Sequence, residues 1–270
     1  MQIKYMIGKK IMEYRLELET AKKAAVLAGE AIMEVYSGDD FDVEYKGDKS
    51  PLTEADRRAN EIIVDMLKEE FPSYAILAEE SEDDKTRLDN DYCFVVDPLD
   101  GTKEFIKRNG QFTVNIALAY THKSVMGVIY VPVTKELYYA AKGYGAYYEA
   151  HGEPAVKLKV SDRTENLRMV MSSSHSSNRD DGLIEKYNIK NFIKMGSSLK
   201  GCLIAKGEAD IYYRFNPTME WDTAAMQCIA EQAGAIFRQM DNTEMLYNRE
   251  DSLNDKGFFV VNCAANIFGI

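Results

Sequence analysis

Histidine is scarce in this chain: only His122, His151 and His175 occur in 270 residues. Cysteine is nearly as sparse, with Cys93, Cys202, Cys228 and Cys263 scattered along the length. No close-spaced Cys or His pattern exists, so a structural zinc site is not expected. Scattered cysteines fit free thiols in a reducing compartment. The expected location is cytoplasmic, with peripheral attachment at the inner membrane left open. No uninterrupted apolar run approaches the length of a transmembrane helix. The opening MQIKYMIGKK is mixed and charged, and no small-residue cleavage pattern follows an apolar run, so it does not read as a secretory signal. Positive charge is also in deficit: 33 Lys and Arg face 44 Asp and Glu, leaving a net charge of −11. That balance argues against general nucleic-acid binding, which needs a basic footprint. It also repels any polyanionic small molecule unless cations in the site offset the field locally.

What is present is a core. Hydrophobic residues make up 46% of the chain and aromatic residues 11%, which argues against disorder. The length fits one large domain or two moderate ones. Ile11, Leu18, Ala25 and Ile32 recur at heptad spacing and predict a helix over 10–36. FDVEY (41–45) alternates like a strand, and GDKSPL (47–52) reads as a loop. TEAD (53–56) has capping-box form and starts a second helix, which stops before Pro72. AIL (75–77) and YCFVVD (92–97) read as strands, with a charged surface loop, SEDDKTRLDND, between them. FTVNIALAY, SVMGVIYVP and ELYYAA predict an antiparallel meander, closed by the glycine-rich GYGAYYEAHGEP (143–154). Beyond about residue 155, strands alternate with helices near 179–187, 197–206 and 220–233, as in a second α/β unit. The expected division is an N-terminal α+β subdomain (1–155) carrying most metal ligands. A C-terminal α/β subdomain (156–270) would carry the substrate pocket and the last ligand, with the site in the groove between.

The most informative stretch is DPLDGTKEFIKRN (97–109). Asp97 and Asp100 stand at the end of an apolar strand, with Pro98 preventing regular pairing and Gly101 permitting a sharp turn. Two crowded carboxylates repel each other unless a proton or a cation intervenes, and oxygen ligands suit Mg²⁺. Three other acidic signals accompany it: Glu79 and Glu80 after a strand, Asp222 beside Trp221, and Asp56 in SPLTEAD. Alone, Asp222 reads first as an N-cap with a helix-dipole partner and Asp56 first as a helix-dipole complement.

LAEE, DPLDGT and WDTAA, in that order over nearly the whole chain, resemble the lithium-sensitive, magnesium-dependent phosphatase superfamily of inositol monophosphatases and fructose-1,6-bisphosphatases. DGTKEFIKRNGQFTVNIAL (100–118) and RFNPTMEWDTAA resemble its 3′(2′),5′-bisphosphate nucleotidase branch, the bacterial type associated with sulfate assimilation. The resemblance implies a layered α-β-α-β-α sandwich of two packed subdomains. It implies two to three Mg²⁺ ions: one on Glu79, Asp97 and the Leu99 carbonyl, one on Asp97, Asp100 and Asp222, and a weaker one on Glu79 near Asp56. Thr102, with Asp56, is implied to orient the attacking water, and Glu79 shares in catalysis through its metal. The substrate side is expected to include Glu79, Leu99, Asp100, Gly101, Thr102 and Asp222. It also includes Ser172 and His175 of SSSH, and Gly196 and Lys200 of GSSLK. Ordinary readings of those two segments are a polar loop and a helix start, and Lys103, Lys107 and Arg108 fit either a solvated helix face or a source of local positive potential. The implied partner is a small nucleotide bisphosphate, not a nucleic acid. The nearest rival is an inositol or sugar phosphatase of the same fold, and a more distant one is a non-catalytic Mg²⁺-binding protein. Monomer and homodimer are both compatible with the sequence.

Overall fold

The computed structural model describes residues 13–38, 44–45, 51–83, 85–174 and 178–269. Residues 10–12 of the expected first helix, most of FDVEY and GDKSPL, and His175 lie outside the described residues.

Helix α1 (Arg15–Tyr36) buries Leu18, Ala25 and Ile32, the face its heptad spacing predicts. Strands β1 (Glu44–Tyr45) and β2 (Pro51–Leu52) form an antiparallel ribbon. It leads into α2 (Glu54–Glu70), capped reciprocally by Thr53 and Asp56. Then come β3 (Ala75–Ala78), β4 (Tyr92–Asp100) and the short α3 (Thr102–Ile106). The meander follows as β5 (Thr113–Tyr120), β6 (Lys123–Val131), β7 (Glu136–Ala141), β8 (Gly145–Glu149) and β9 (Val156–Lys157). β3 to β9 form one sheet in sequence order, with β3 and β4 parallel and every later pair antiparallel.

The rest of the chain runs β10 (Arg168–Ser172), α4 (Asn178–Lys186), β11 (Asn191–Met195), α5 (Leu199–Ala205) and β12 (Ile211–Arg214). It continues with β13 (Thr218–Met219), α6 (Glu220–Gln232), β14 (Ile236–Gln239), β15 (Leu253–Asn254) and β16 (Phe258–Val261). The second sheet has the order β11-β10-β12-β16-β14, and β13 pairs with β15 in a separate ribbon.

Side-chain alternation stacks these elements. Phe94 and Val96 of β4 join the core under α1 and α2, while Cys93 and Val95 join the core containing α5 and α6. In the second sheet, Val170, Tyr212 and Val260 face α5 and α6, whereas Met169, Ile211 and Phe259 pack with Leu183 of α4. The result is the expected α-β-α-β-α sandwich. α6 rides directly on β6: a Cβ at Gly127 would lie 2.6 Å from the Ala225 carbonyl oxygen, so only glycine fits there. All four cysteines are free thiols. Among the described residues, no helix is long and apolar enough to cross a membrane.

The segment 81–91 departs from a plain surface loop. Arg87 is buried, donating from Nε and Nη2 to Asp83 at 3.0 and 2.9 Å and from Nη1 to Asn248 at 2.9 Å. A charge paired on several sides can be buried, and composition alone does not reveal such pairing. β14 and the β13–β15 ribbon are also additions to the sequence reading, being too short to leave a periodic signal.

Candidate active site

The placement of Asp97 and Asp100 follows from strand register. Asp97 lies opposite Asn115, and Asp100 opposite Thr113. Three steps along β4 therefore meet two along β5, a β-bulge spanning Pro98 and Leu99. In a regular strand, residues three apart face opposite sides. The extra residue brings both carboxylates to one side. Gly101, at φ +94°, then turns the chain into α3 and sets Thr102 at its first position.

Asp56 and Asp222 arrive from helix N-termini. Each sits at the third helical residue and uses one oxygen as a cap. Asp222 Oδ2 accepts from the Met219 amide at 2.7 Å. Asp56 Oδ2 accepts from the Thr53 amide at 2.8 Å and hydroxyl at 2.5 Å. Asp56 Oδ1 accepts from the Thr102 hydroxyl at 3.2 Å. The capping reading and the site reading are thus both true of the same side chains, one oxygen each.

Asp97, Asp100 and Asp222 each offer an oxygen, and these oxygens lie within 4.8 Å of one another. Glu79, at the end of β3, lines the same cleft, its amide donating to the Val96 carbonyl at 3.1 Å. Burial raises the Asp97 carboxyl well above the carboxylate range, and Glu79, Asp100, Asp222 and Asp56 push it further. Burial, then the Asp100 charge, raises Asp222 to about 7. A buried, mutually repelling, oxygen-only donor set fits a hard divalent cation such as Mg²⁺. Asp97, Asp100, Asp222 and Glu79 could hold it. The Leu99 carbonyl could contribute too, since its contact with the Thr102 hydroxyl is long at 3.4 Å.

The cleft has a volume of about 230 Å³ and opens between the two sheets. Ser172, at the end of β10, lines it, as do Gly101, Thr102 and Lys103. Lys200 enters from α5, donating to the Ser197 carbonyl, with its ammonium 5.6 Å from the Tyr212 ring centre. Burial lowers its pKa to about 8, against the opposing pull of Asp100. Gly196 does not line the cleft: its amide donates to Gln111 at 2.8 Å, and a Cβ there would meet the Gln111 carbonyl at 2.7 Å. Lys107 and Arg108 point elsewhere, to Ser174 at 3.3 Å and to the Tyr36 carbonyl at 2.7 Å.

Residues 14–262 match the inositol monophosphatase family. The chain belongs to that family. It is 42% identical to the 3′(2′),5′-bisphosphate nucleotidase CysQ of Salmonella typhimurium, over 90% of this chain and 98% of that protein. It is 41% identical to the Escherichia coli K12 protein of the same name, over 86% and 94% of the two chains. A crystal structure of CysQ from Bacteroides thetaiotaomicron superposes with a TM-score of 0.82 at 42% identity, covering 93% of this chain and 98% of that one.

Within this family fold the cleft has members that the motifs did not single out: Ser197, Ser198, Tyr212 and Arg214. Arg214 ends β12, and its buried Nε has no hydrogen-bond partner among the described residues. The signal was a cation closing the apolar IYY run, the same pattern that marks Asp97 at the end of YCFVV. Ser198 had no signal beyond standing in GSSLK.

Proposed function

We propose that the chain is a magnesium-dependent phosphomonoester hydrolase that converts adenosine 3′,5′-bisphosphate to AMP and phosphate. The same 3′ chemistry would take 3′-phosphoadenosine 5′-phosphosulfate to adenosine 5′-phosphosulfate. The observation that carries this reading is one cleft lined both by carboxylates, Glu79, Asp100 and Asp222, and by two cations, Lys200 and Arg214. A monophosphate needs only the carboxylate set, whereas a bisphosphate also uses the cations. The names of the relatives point the same way.

In this reading Glu79, Asp97 and the Leu99 carbonyl hold one ion. Asp97, Asp100 and Asp222 hold a second, and Glu79 with nearby Asp56 serves a weaker third. The 1–155 part supplies most of these ligands, and the 156–270 part supplies Asp222 and the two cations. Bound divalent ions would neutralise phosphate charge and lower the pKa of water toward neutrality. Thr102 gives its hydroxyl proton to Asp56, so its oxygen is left to accept a hydrogen bond from water. That fixes the water's orientation toward phosphorus without a histidine base. Lys200 and Arg214 meet the phosphate that is not cleaved, and Ser172 borders the nucleoside.

A panel of adenosine 3′,5′-bisphosphate, 3′-AMP and inositol 1-phosphate with Mg²⁺ tests the reading, with the bisphosphate expected to have the highest kcat/KM. Lys200→Ala should cost about 10- to 150-fold on the bisphosphate, the loss of one charge-assisted hydrogen bond, and little on 3′-AMP. Added Li⁺ is expected to slow turnover. Equal or better hydrolysis of inositol 1-phosphate would overturn the choice of substrate.

A further inference from the structure

Asp100 is held more tightly than a metal ligand on a strand end requires. Three donors reach the same oxygen, Oδ2: the Ser198 amide at 2.6 Å, the Ser198 hydroxyl at 2.8 Å and Asn115 Nδ2 at 3.2 Å. None of these donors is on Oδ1, and one Asp100 oxygen lies in the carboxylate cluster. The Ser198 hydroxyl also accepts from Asn115 Nδ2 at 2.9 Å and lies 3.2 Å from the Asp222 carbonyl. Its single proton goes to Asp100, the nearer and charged acceptor. Thr113 in turn donates to Asn115 Oδ1 at 2.9 Å, which turns the amide's NH₂ toward Asp100 and Ser198. Ser198, Thr113 and Asn115 are all buried.

We propose that Ser198 is a positioning residue for the metal centre: it locks Asp100 with Oδ1 toward the cluster and ties that ligand to the start of α5, the helix bearing Lys200. The physical reason is rotational. An aspartate whose two oxygens are both unpaired samples both faces, and the like-charged Asp97 and Asp222 drive it away from the cluster in the absence of metal. Donors fixed on one oxygen remove that freedom and pre-orient the other. The inference rests on the reading of the carboxylates as a magnesium site. It adds that Asp100 and the start of the helix bearing Lys200 are joined through Ser198, so the ligand geometry and the position of Lys200 are set together.

The test titrates folded protein with Mg²⁺ alone by calorimetry, without substrate. Ser198→Ala keeps the amide donor and loses the hydroxyl, and is expected to weaken Mg²⁺ binding about 10-fold. Thr113→Val, isosteric and one bond further out, is expected to weaken it less, about 2- to 3-fold, and serves if Ser198→Ala does not fold. Circular dichroism of each variant in EDTA separates this from general damage. Variants that lose thermal stability yet bind Mg²⁺ within about 1.5-fold of wild type would make the network merely structural and overturn the inference. A wild-type protein that takes up no Mg²⁺ would overturn the metal reading itself, and the inference with it.

Discussion

Burial comes first in shifting the buried carboxylates Asp97, Asp222, Glu220 and Glu231, whereas the more exposed Asp83 and Asp241 are lowered first by their basic partners Arg87 and Lys256. Asp222, held up to about 7, binds its proton more tightly in the folded chain than in the unfolded one. Its contribution therefore lowers stability as pH rises from about 4 to 7, then levels off. Asp97 is raised from the same cause, and the raised Glu220 and Glu231 act in the same direction. Lys200, held down to about 8, has the opposite sign but titrates only above that pH. In EDTA the melting temperature should thus be higher at pH 5 than at pH 7.5. Asp222→Asn should flatten part of that slope, and saturating Mg²⁺ should suppress it, because ligated carboxylates no longer repel. A midpoint in EDTA that climbs between pH 5 and 7.5 would contradict the burial argument. At this scale, Glu79, Asp97 and Asp100 were legible because motif and strand end coincide, and Asp56 and Asp222 because motif and helix start do. Ser198 and Asn115 were not, since residues 83 positions apart in sequence met only after folding.

Among the elements, the turn from β4 into α3 carries the greatest constraint. Gly101 sits at φ +94°, and a Cβ there would lie 3.2 Å from the Gln111 carbonyl oxygen. Gly101→Ala should cost about 1–3 kcal/mol in urea unfolding, the range for a strained backbone position. Because Thr102 follows at once, turnover should fall with it. An alanine variant as stable and active as wild type would show that the turn relaxes freely. The strands and long helices around this turn were readable from period and capping alone: Leu18, Ala25 and Ile32 did face the core, and TEAD did start α2. The bulge was foreshadowed only by Pro98. Its consequence for side-chain direction depends on the partner strand, which a sequence does not name. Arg87 misled for the converse reason, since its partners Asn248 and Ser252 come from the far end of the chain.

Taken as a whole, the molecule divides its acidic cluster between its two sheets: Asp97 and Asp100 end a strand of the first, whereas Asp222 opens a helix packed between both. An ion held by all three would bind the assembled chain and not its parts. Mg²⁺ should then raise a single unfolding transition, by about 2.7 kcal/mol at 100-fold excess over Kd for one site. Two separate transitions, with only one shifted by Mg²⁺, would argue against a shared centre. The same layering bears on how the chain is made. The first sheet is complete at Lys157, but the helices over its second face end only at Gln232. At about 5–20 residues per second, a ribosome needs roughly 4–15 s to make that stretch. During that interval Cys93, Val95, Ala117 and Ile129, core residues of the finished protein, have no helix to cover them. The nascent chain is then a natural client for a chaperone that shields apolar β-surface, and a chain cut short before Glu220 would carry that face bare for good.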